Sequence, residues 1–156
     1  MKFLRRQTGL ILLAVGTLFS TATAATTTTS HDPIKAVYAN QRQALLAATS
    51  FARLTGGSLI LTSGTHSMEP LIHGKTYAVI VKRAYASISP RDLLVYQGRP
   101  NAAKADTLTI LHRAVLHDRY GWLMSGDNNR WSESWDRVTT DNYAGTVIAL
   151  FAFPQA

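Results

Sequence analysis

Beyond Gly56-Gly57 the chain breaks into short apolar, β-branched runs, and that change of pattern constrains the fold more than any other feature. Leu59-Ile60-Leu61 comes first, followed by Tyr77-Ala78-Val79-Ile80-Val81 and, behind Ser89-Pro90, by Leu93-Leu94-Val95-Tyr96. Residues 107–116 make a longer strand candidate, residues 121–124 its hairpin partner, and residues 147–153 a closing apolar strand. Short runs of this kind between turn residues read as strands. Ahead of the two glycines the spacing is helical. Asp32-Pro33 gives a start signal, with Asp32 as N-cap and Pro33 at the first helical position. Ile34, Val37, Leu45, Ala48 and Leu54 follow at near-helical spacing, and Gly56-Gly57 stops the run. The expectation is a mainly β, small domain over residues 58–156, preceded by one α-helix within residues 25–57.

The 156 residues, 46% hydrophobic and 16% charged, suit one modest domain with a core. Without a cysteine there is no disulfide, no thiolate nucleophile and no Cys-based zinc site. The formal charge of +7 overstates the surface, because Lys2, Arg5 and Arg6 sit at the extreme N-terminus. Beyond residue 24, 13 basic side chains face 9 acidic ones, a net +4 with no dense basic patch. Nucleic acid is therefore not an expected partner. Residues 1–24 read as a signal peptide: a basic start, an apolar stretch over residues 9–19, and the small-x-small site Ala22-Thr23-Ala24. The alternative is an uncleaved membrane anchor over residues 8–25. Either way the rest of the chain is exported, to the periplasm or the outer face of the cytoplasmic membrane. The tract Thr26-Thr27-Thr28-Thr29-Ser30 reads as a spacer.

Chemistry concentrates in Ser63-Gly64-Thr65-His66-Ser67-Met68-Glu69-Pro70-Leu71-Ile72. Gly64 is a break, and Pro70 holds Glu69 extended and forbids a helix. Ser67 is thus kept at a strand-to-turn junction, a stiff and exposed setting that suits a nucleophile. An ordinary polar turn would use the same residue types.

Ser67-Met68-Glu69-Pro70 resembles the Ser-Met-x-Pro box of the type I signal peptidases, whose β-rich catalytic fold is shared by the self-cleaving SOS repressors. Other boxes follow in family order. Leu111-His112-Arg113 resembles the His-Arg pair of the endoplasmic-reticulum-like variety, in which histidine replaces the lysine base. Ser125-Gly126-Asp127-Asn128-Asn129 resembles the Gly-Asp-Asn box, and Ser134-Trp135-Asp136-Arg137 the Ser-x-Asp…Arg beyond it. Residues 90–96 and 138–145 resemble the supporting segments, although Arg91 replaces a glycine and Lys75 stands where Asp is usual.

The resemblance implies a serine endopeptidase with Ser67 as nucleophile and His112 as base. Histidine titrates near working pH, as a general base should. Strand alternation puts His112 on one face with Leu108, Ile110, Ala114 and Leu116, a setting in which histidines are commonly core residues. The carboxylate that orients the base falls, in order of preference, to Asp136, Asp127 or Glu133, since Asp136 comes later than the family spacing. The Thr65 hydroxyl and the Ser67 amide are the implied oxyanion donors, and Met68 and Pro70 the implied substrate contacts. Lys82-Arg83 offers a lysine base only in the wrong order along the chain. His31, His66, His73 and His117 match no base and show no metal-ligand spacing, so neither metal nor cofactor is expected. The implied partner is a peptide or preprotein with small residues before the cut, bound as an added strand, with a membrane surface nearby. Two other readings stand beside this one. The first is a catalytically inactive envelope binding or assembly module with the same fold. The second is a self-cleaving regulator, for which residues 26–57 are too short and too weakly basic to be the DNA-binding domain.

Overall fold

The computed structural model describes residues 32–98, 108–130 and 133–155, with residues 133–136 described by backbone alone. The expected targeting segment, the Thr-rich spacer and most of the loop after Gly98 lie outside the described residues. In chain order the elements are β1 (Ile34–Val37), α1 (Gln41–Thr55), β2 (Ser58–Leu61) and a 3-10 turn (His66–Met68). Then follow β3 (Thr76–Val81), a second 3-10 turn (Tyr85–Ser87), β4 (Leu93–Gly98), β5 (Leu108–Asp118), β6 (Gly121–Ser125), β7 (Glu133–Val138) and β8 (Tyr143–Ala152). The sheet runs β2-β3-β8-β4-β5-β6-β7 through antiparallel ladders, and β1 adds to β8 in parallel. The fold is mainly β with one helix, as the run pattern demands. Among the described residues no helix is long and apolar enough to cross a membrane.

The helix does not begin at Asp32-Pro33. Residues 34–37 instead pair with 149–152 of β8, and Tyr38 donates its N–H to Ala152 O at 2.9 Å. Asn40 is the cap: its backbone is extended (φ −156°, ψ 167°) and its side chain accepts from Gln43 N at 3.0 Å. Asp32 spends its carboxylate on Arg113 instead. At the other end Gly56 takes the left-handed conformation (φ 65°), and Gly57 N–H reaches Ala52 O at 2.8 Å. Gly57 must also stay bare, because a Cβ there would lie 2.8 Å from Ile80 O.

The buried stripe of α1 is Ala44, Ala48 and Ala52, four residues apart, and not the larger aliphatics. Leu45 and Leu54, expected inward, face out, and Leu54 is 86% exposed. Alanines let the helix lie close to the sheet, where Tyr77, Val79, Ala149, Phe151 and Phe153 fill the gap. The opposite face of β3 and β8 packs Ala78, Ile80, Val147 and Leu150 against Leu93, Val95, Met68 and Ile72. A third cluster joins Leu94, Tyr96, Ala114, Trp122, Met124, Val138 and Tyr143. Helix and nucleophile turn therefore sit on opposite sides of β3 and β8.

Three strand expectations need correction. β8 starts at Tyr143, four residues earlier than the apolar run, because its first residues pair with β4. β7 was not foreseen, since Glu-Ser-Trp-Asp-Arg-Val carries no apolar alternation. Leu116 does not share His112's face: a bulge between Ala114 and Leu116 flips the alternation and leaves Leu116 56% exposed.

Candidate active site

Ser67 is the middle residue of the 3-10 turn that follows β2. The approach is fixed by Thr62, whose N–H donates to Thr76 O at 2.9 Å while its hydroxyl accepts from Thr76 N at 2.8 Å. The exit is fixed by Met68, which is 4% exposed and carries its side chain into the core. Burying a side chain of this size stabilises the fold by roughly 1.5–3 kcal/mol, so the turn is held by packing as well as by hydrogen bonds. Glu69 is extended (φ −69°, ψ 148°), as the following proline requires.

The Gly-Asp-Asn-Asn turn grips the other side of this peptide. Asn128 N–H donates to Ser67 O at 2.9 Å, and Asn128 Nδ2 donates to His66 O at 3.1 Å. The two turns touch so closely that a Cβ on Gly126 would lie 2.5 Å from Ser67 O. Turn chemistry alone explains the residue types, but the asparagine also orients the nucleophile's backbone. Asn128 carries this role beyond what its residue type announces; its place in the Gly-Asp-Asn-Asn turn is the available signal.

His112 comes from β5, 45 residues away, and its Nε2 lies 3.1 Å from Ser67 Oγ. The ring is 7% exposed, and its ladder partner Leu94 is fully buried. Thr65 Oγ1 lies 3.3 Å from the same Ser67 oxygen, on an extended residue just before the turn. The Ser67 hydroxyl thus has an imidazole and a second hydroxyl within hydrogen-bond distance, groups of the kind that acyl transfer uses.

The proposed orienting carboxylates separate. Asp127 takes both arms of Arg113, with Nε to Oδ1 at 2.6 Å and Nη2 to Oδ2 at 2.7 Å. Arg113 and His112 are consecutive on a regular stretch of strand, so their side chains leave on opposite faces. Asp127 accordingly serves the guanidinium and not the imidazole, which corrects the expectation that it could be a catalytic, base-orienting carboxylate. Arg113 also donates to Asp32 Oδ1 at 2.9 Å and to Arg91 O at 2.8 Å. The Asp127 hydrogen bonds outweigh burial and raise the guanidinium pKa, so its charge is permanent. For Asp136 and Glu133 the backbone of β7 is described and the side chains lie outside the described set. Ala114 pairs with Met124 and Met124 with Glu133, so Glu133 runs level with Ala114, two strands away and two residues along β5 from His112. Two strand spacings are about 10 Å. Arg137, the last residue of that box, pairs with Asp118 at the far end of β5.

A cleft of about 470 Å³ opens over the pair, lined by residues 60–65, Ser67, Met68, Ile72, residues 108–112 and Asn129. Met68 belongs to both the core and the lining. Pro70 is exposed and does not line the cleft, and just beyond it Ile72 N–H returns to Met68 O at 2.9 Å. Lys82 is exposed at the end of β3 and is not in the lining. His66 and His73 both turn away, each placing Nδ1 on Glu69 Oε1, at 2.8 and 2.7 Å. They lower the Glu69 pKa, with the His66 hydrogen bond the largest cause. His117 contacts Tyr85 and Trp122, and His31 lies outside the described residues.

The walls of the cleft are two strand margins. Among the described residues β2 pairs only with β3, and β5 pairs with β6 only from Arg113 onward. From Leu108 to Leu111, β5 therefore has a strand neighbour on one side. The cleft offers main-chain donors and acceptors from both walls to an extended segment. Compared with family models, curated proteins and solved structures, the chain matches none.

Proposed function

We propose that this protein is an exported serine endopeptidase of the signal-peptidase type, using a Ser/His mechanism. The observation that carries the reading is the 3.1 Å contact between Ser67 Oγ and His112 Nε2 beside an open cleft. Ser67 Oγ attacks the scissile carbonyl while His112 accepts its proton. Thr65 and the Ser67 N–H bear the negative charge of the tetrahedral intermediate. His112 then returns the proton to the leaving amine, and water hydrolyses the acyl ester by the reverse sequence. Asp136, ahead of Glu133, is the proposed orienting carboxylate.

The substrate class follows from the walls. A peptide lying between β2 and residues 108–111 is read chiefly through its backbone, which suits an extended preprotein segment. Met68 and Ile72 line the cleft, and small side chains next to the cut are what the resemblance implies. The decisive experiment is cleavage of an Ala-x-Ala reporter by wild type and Ser67→Ala. The variant should lose activity by about 10⁴–10⁶-fold and melt within a degree or two of wild type. Equal activity in both proteins overturns the reading, and a serine-directed covalent probe that fails to label wild type points instead to an inactive binding module.

A further inference from the structure

Resting on the reading just given, we propose that the cleft's first substrate is the chain's own N-terminus, cut in cis at the Ala24–Ala25 bond. The sequence supplies a fitting site, because Ala22 and Ala24 put small side chains at the third and first positions before that bond. The fold supplies the approach. The described chain begins at Asp32, whose Oδ1 accepts from Arg113 Nη1 at 2.9 Å. Arg113 directly follows His112 on β5 and leaves on the other face, so the chain is moored beside that strand, across it from His112, before it continues into β1.

Reach is sufficient. Ala24 and Asp32 are eight positions apart, and a chain of that length spans at most about 26–29 Å. The mooring lies one side chain from β5, and His112 reaches Ser67 directly. A tether this short gives an effective concentration in the millimolar range, well above that of a separate substrate. The cleft rim also suits what precedes the site. Leu61 and Leu108 are 46% and 50% exposed on opposite walls, apolar surface facing an arriving segment whose residues 9–19 are largely apolar.

The step balances without a co-reactant other than water. Ser67 Oγ bonds to the Ala24 carbonyl carbon and its proton passes to His112 Nε2. The Ala24–Ala25 C–N bond breaks as that proton moves to the Ala25 nitrogen. Water then releases residues 1–24 with a free carboxylate and leaves a mature chain beginning at Ala25.

The test is synthesis of the full chain in a reconstituted translation system with detergent micelles and no other peptidase, read by intact mass. Wild type should lose residues 1–24 at a rate unchanged over a 100-fold dilution, while Ser67→Ala stays intact. Ala24→Asp should block the self-cut yet leave Ala-x-Ala reporter cleavage in place. If wild type cuts the reporter but keeps its own N-terminus, the self-processing inference fails and the peptidase reading survives. A cut whose rate falls with dilution overturns the cis step. Loss of both activities removes the peptidase reading and this inference together.

Discussion

Three histidines have a claim on Ser67, and the fold treats them in opposite ways. His66 and His73 lie within six residues of the nucleophile in sequence, yet both are largely exposed and bind Glu69. His112 is 45 residues away, is buried, and meets the hydroxyl at 3.1 Å. The difference teaches that a ladder-braced strand, and not nearness in the chain, brings an imidazole to Ser67. A turn neighbour holds its imidazole only through local contacts, whereas β5 is braced by ladders to β4 and β6. The sharpest way to break this comparison is to delete each claimant. His112→Ala should lower reporter cleavage by about 10⁴–10⁶-fold. The double variant His66→Ala/His73→Ala should stay within about threefold of wild type, a bound chosen because neither ring contacts Ser67. A larger loss in the double variant than in His112→Ala reverses the assignment.

The same contrast separates two residues that flank Ser67 in the sequence. Thr65 places its hydroxyl 3.3 Å from Ser67 Oγ, while Pro70, three residues past Ser67, lies outside the cleft lining. Thr65→Val keeps the shape and removes the donor, so kcat should fall by about 10²–10³-fold with KM little changed. Pro70→Ala should leave kcat/KM nearly intact. Steady-state kinetics on both variants decides the matter, and equal losses would mean that the cleft extends to Pro70.

Much of the fold was legible because apolar, β-branched runs survive inspection one segment at a time. β3, β4, β5 and β6 are core strands whose buried residues are the very ones that made the pattern. What stayed hidden depends on pairing across the chain. Residues 34–37 join β8 only because β8 presents a margin there, and Glu133–Val138 becomes a strand only beside β6. The helix was mis-aimed for a related reason: large aliphatics were expected to turn inward, but the sheet's aromatics left room only for alanines. At the site, the meeting of Ser67, Thr65 and His112 was implied by the resemblance of their boxes and by no local pattern. Asp127 was misread because Arg113, one position past the base, claims its carboxylate on the other face. No local pattern could reveal that exchange.

Packing beneath the nucleophile gives the next effect. Met68 anchors the turn from inside, whereas Asn128 holds it from outside. Met68→Ala should destabilise the fold by about 2–5 kcal/mol, read as a lower midpoint in urea at unchanged slope. Asn128→Ala removes the side-chain bond to His66 O and keeps the backbone bond to Ser67 O. Its stability loss should be nearer 0.5–1.5 kcal/mol. If Asn128→Ala costs more than Met68→Ala, the outer clamp and not the core fixes the turn.

The smallest effect concerns the exposed histidines themselves. Both place Nδ1 on one oxygen of Glu69, and they draw its carboxyl below the ordinary value of 4.5. A carboxyl whose pKa is lowered in the folded state stabilises that state above its unfolded value and stops doing so as pH falls through the folded one. The lead in melting temperature of wild type over Glu69→Gln should therefore be full above pH 5. It should shrink as the pH drops below 4.5, where wild type also carries a neutral side chain at position 69. Because the group is solvent-accessible, the lead itself is small and screened by salt. Melting curves at pH 3, 4, 5 and 6 in low salt measure it, and a lead that does not vary across that range would show that Glu69 acts by shape alone. Reporter cleavage at pH 6 should be the same in both proteins, since the Glu69 cluster sits outside the cleft that His112 lines.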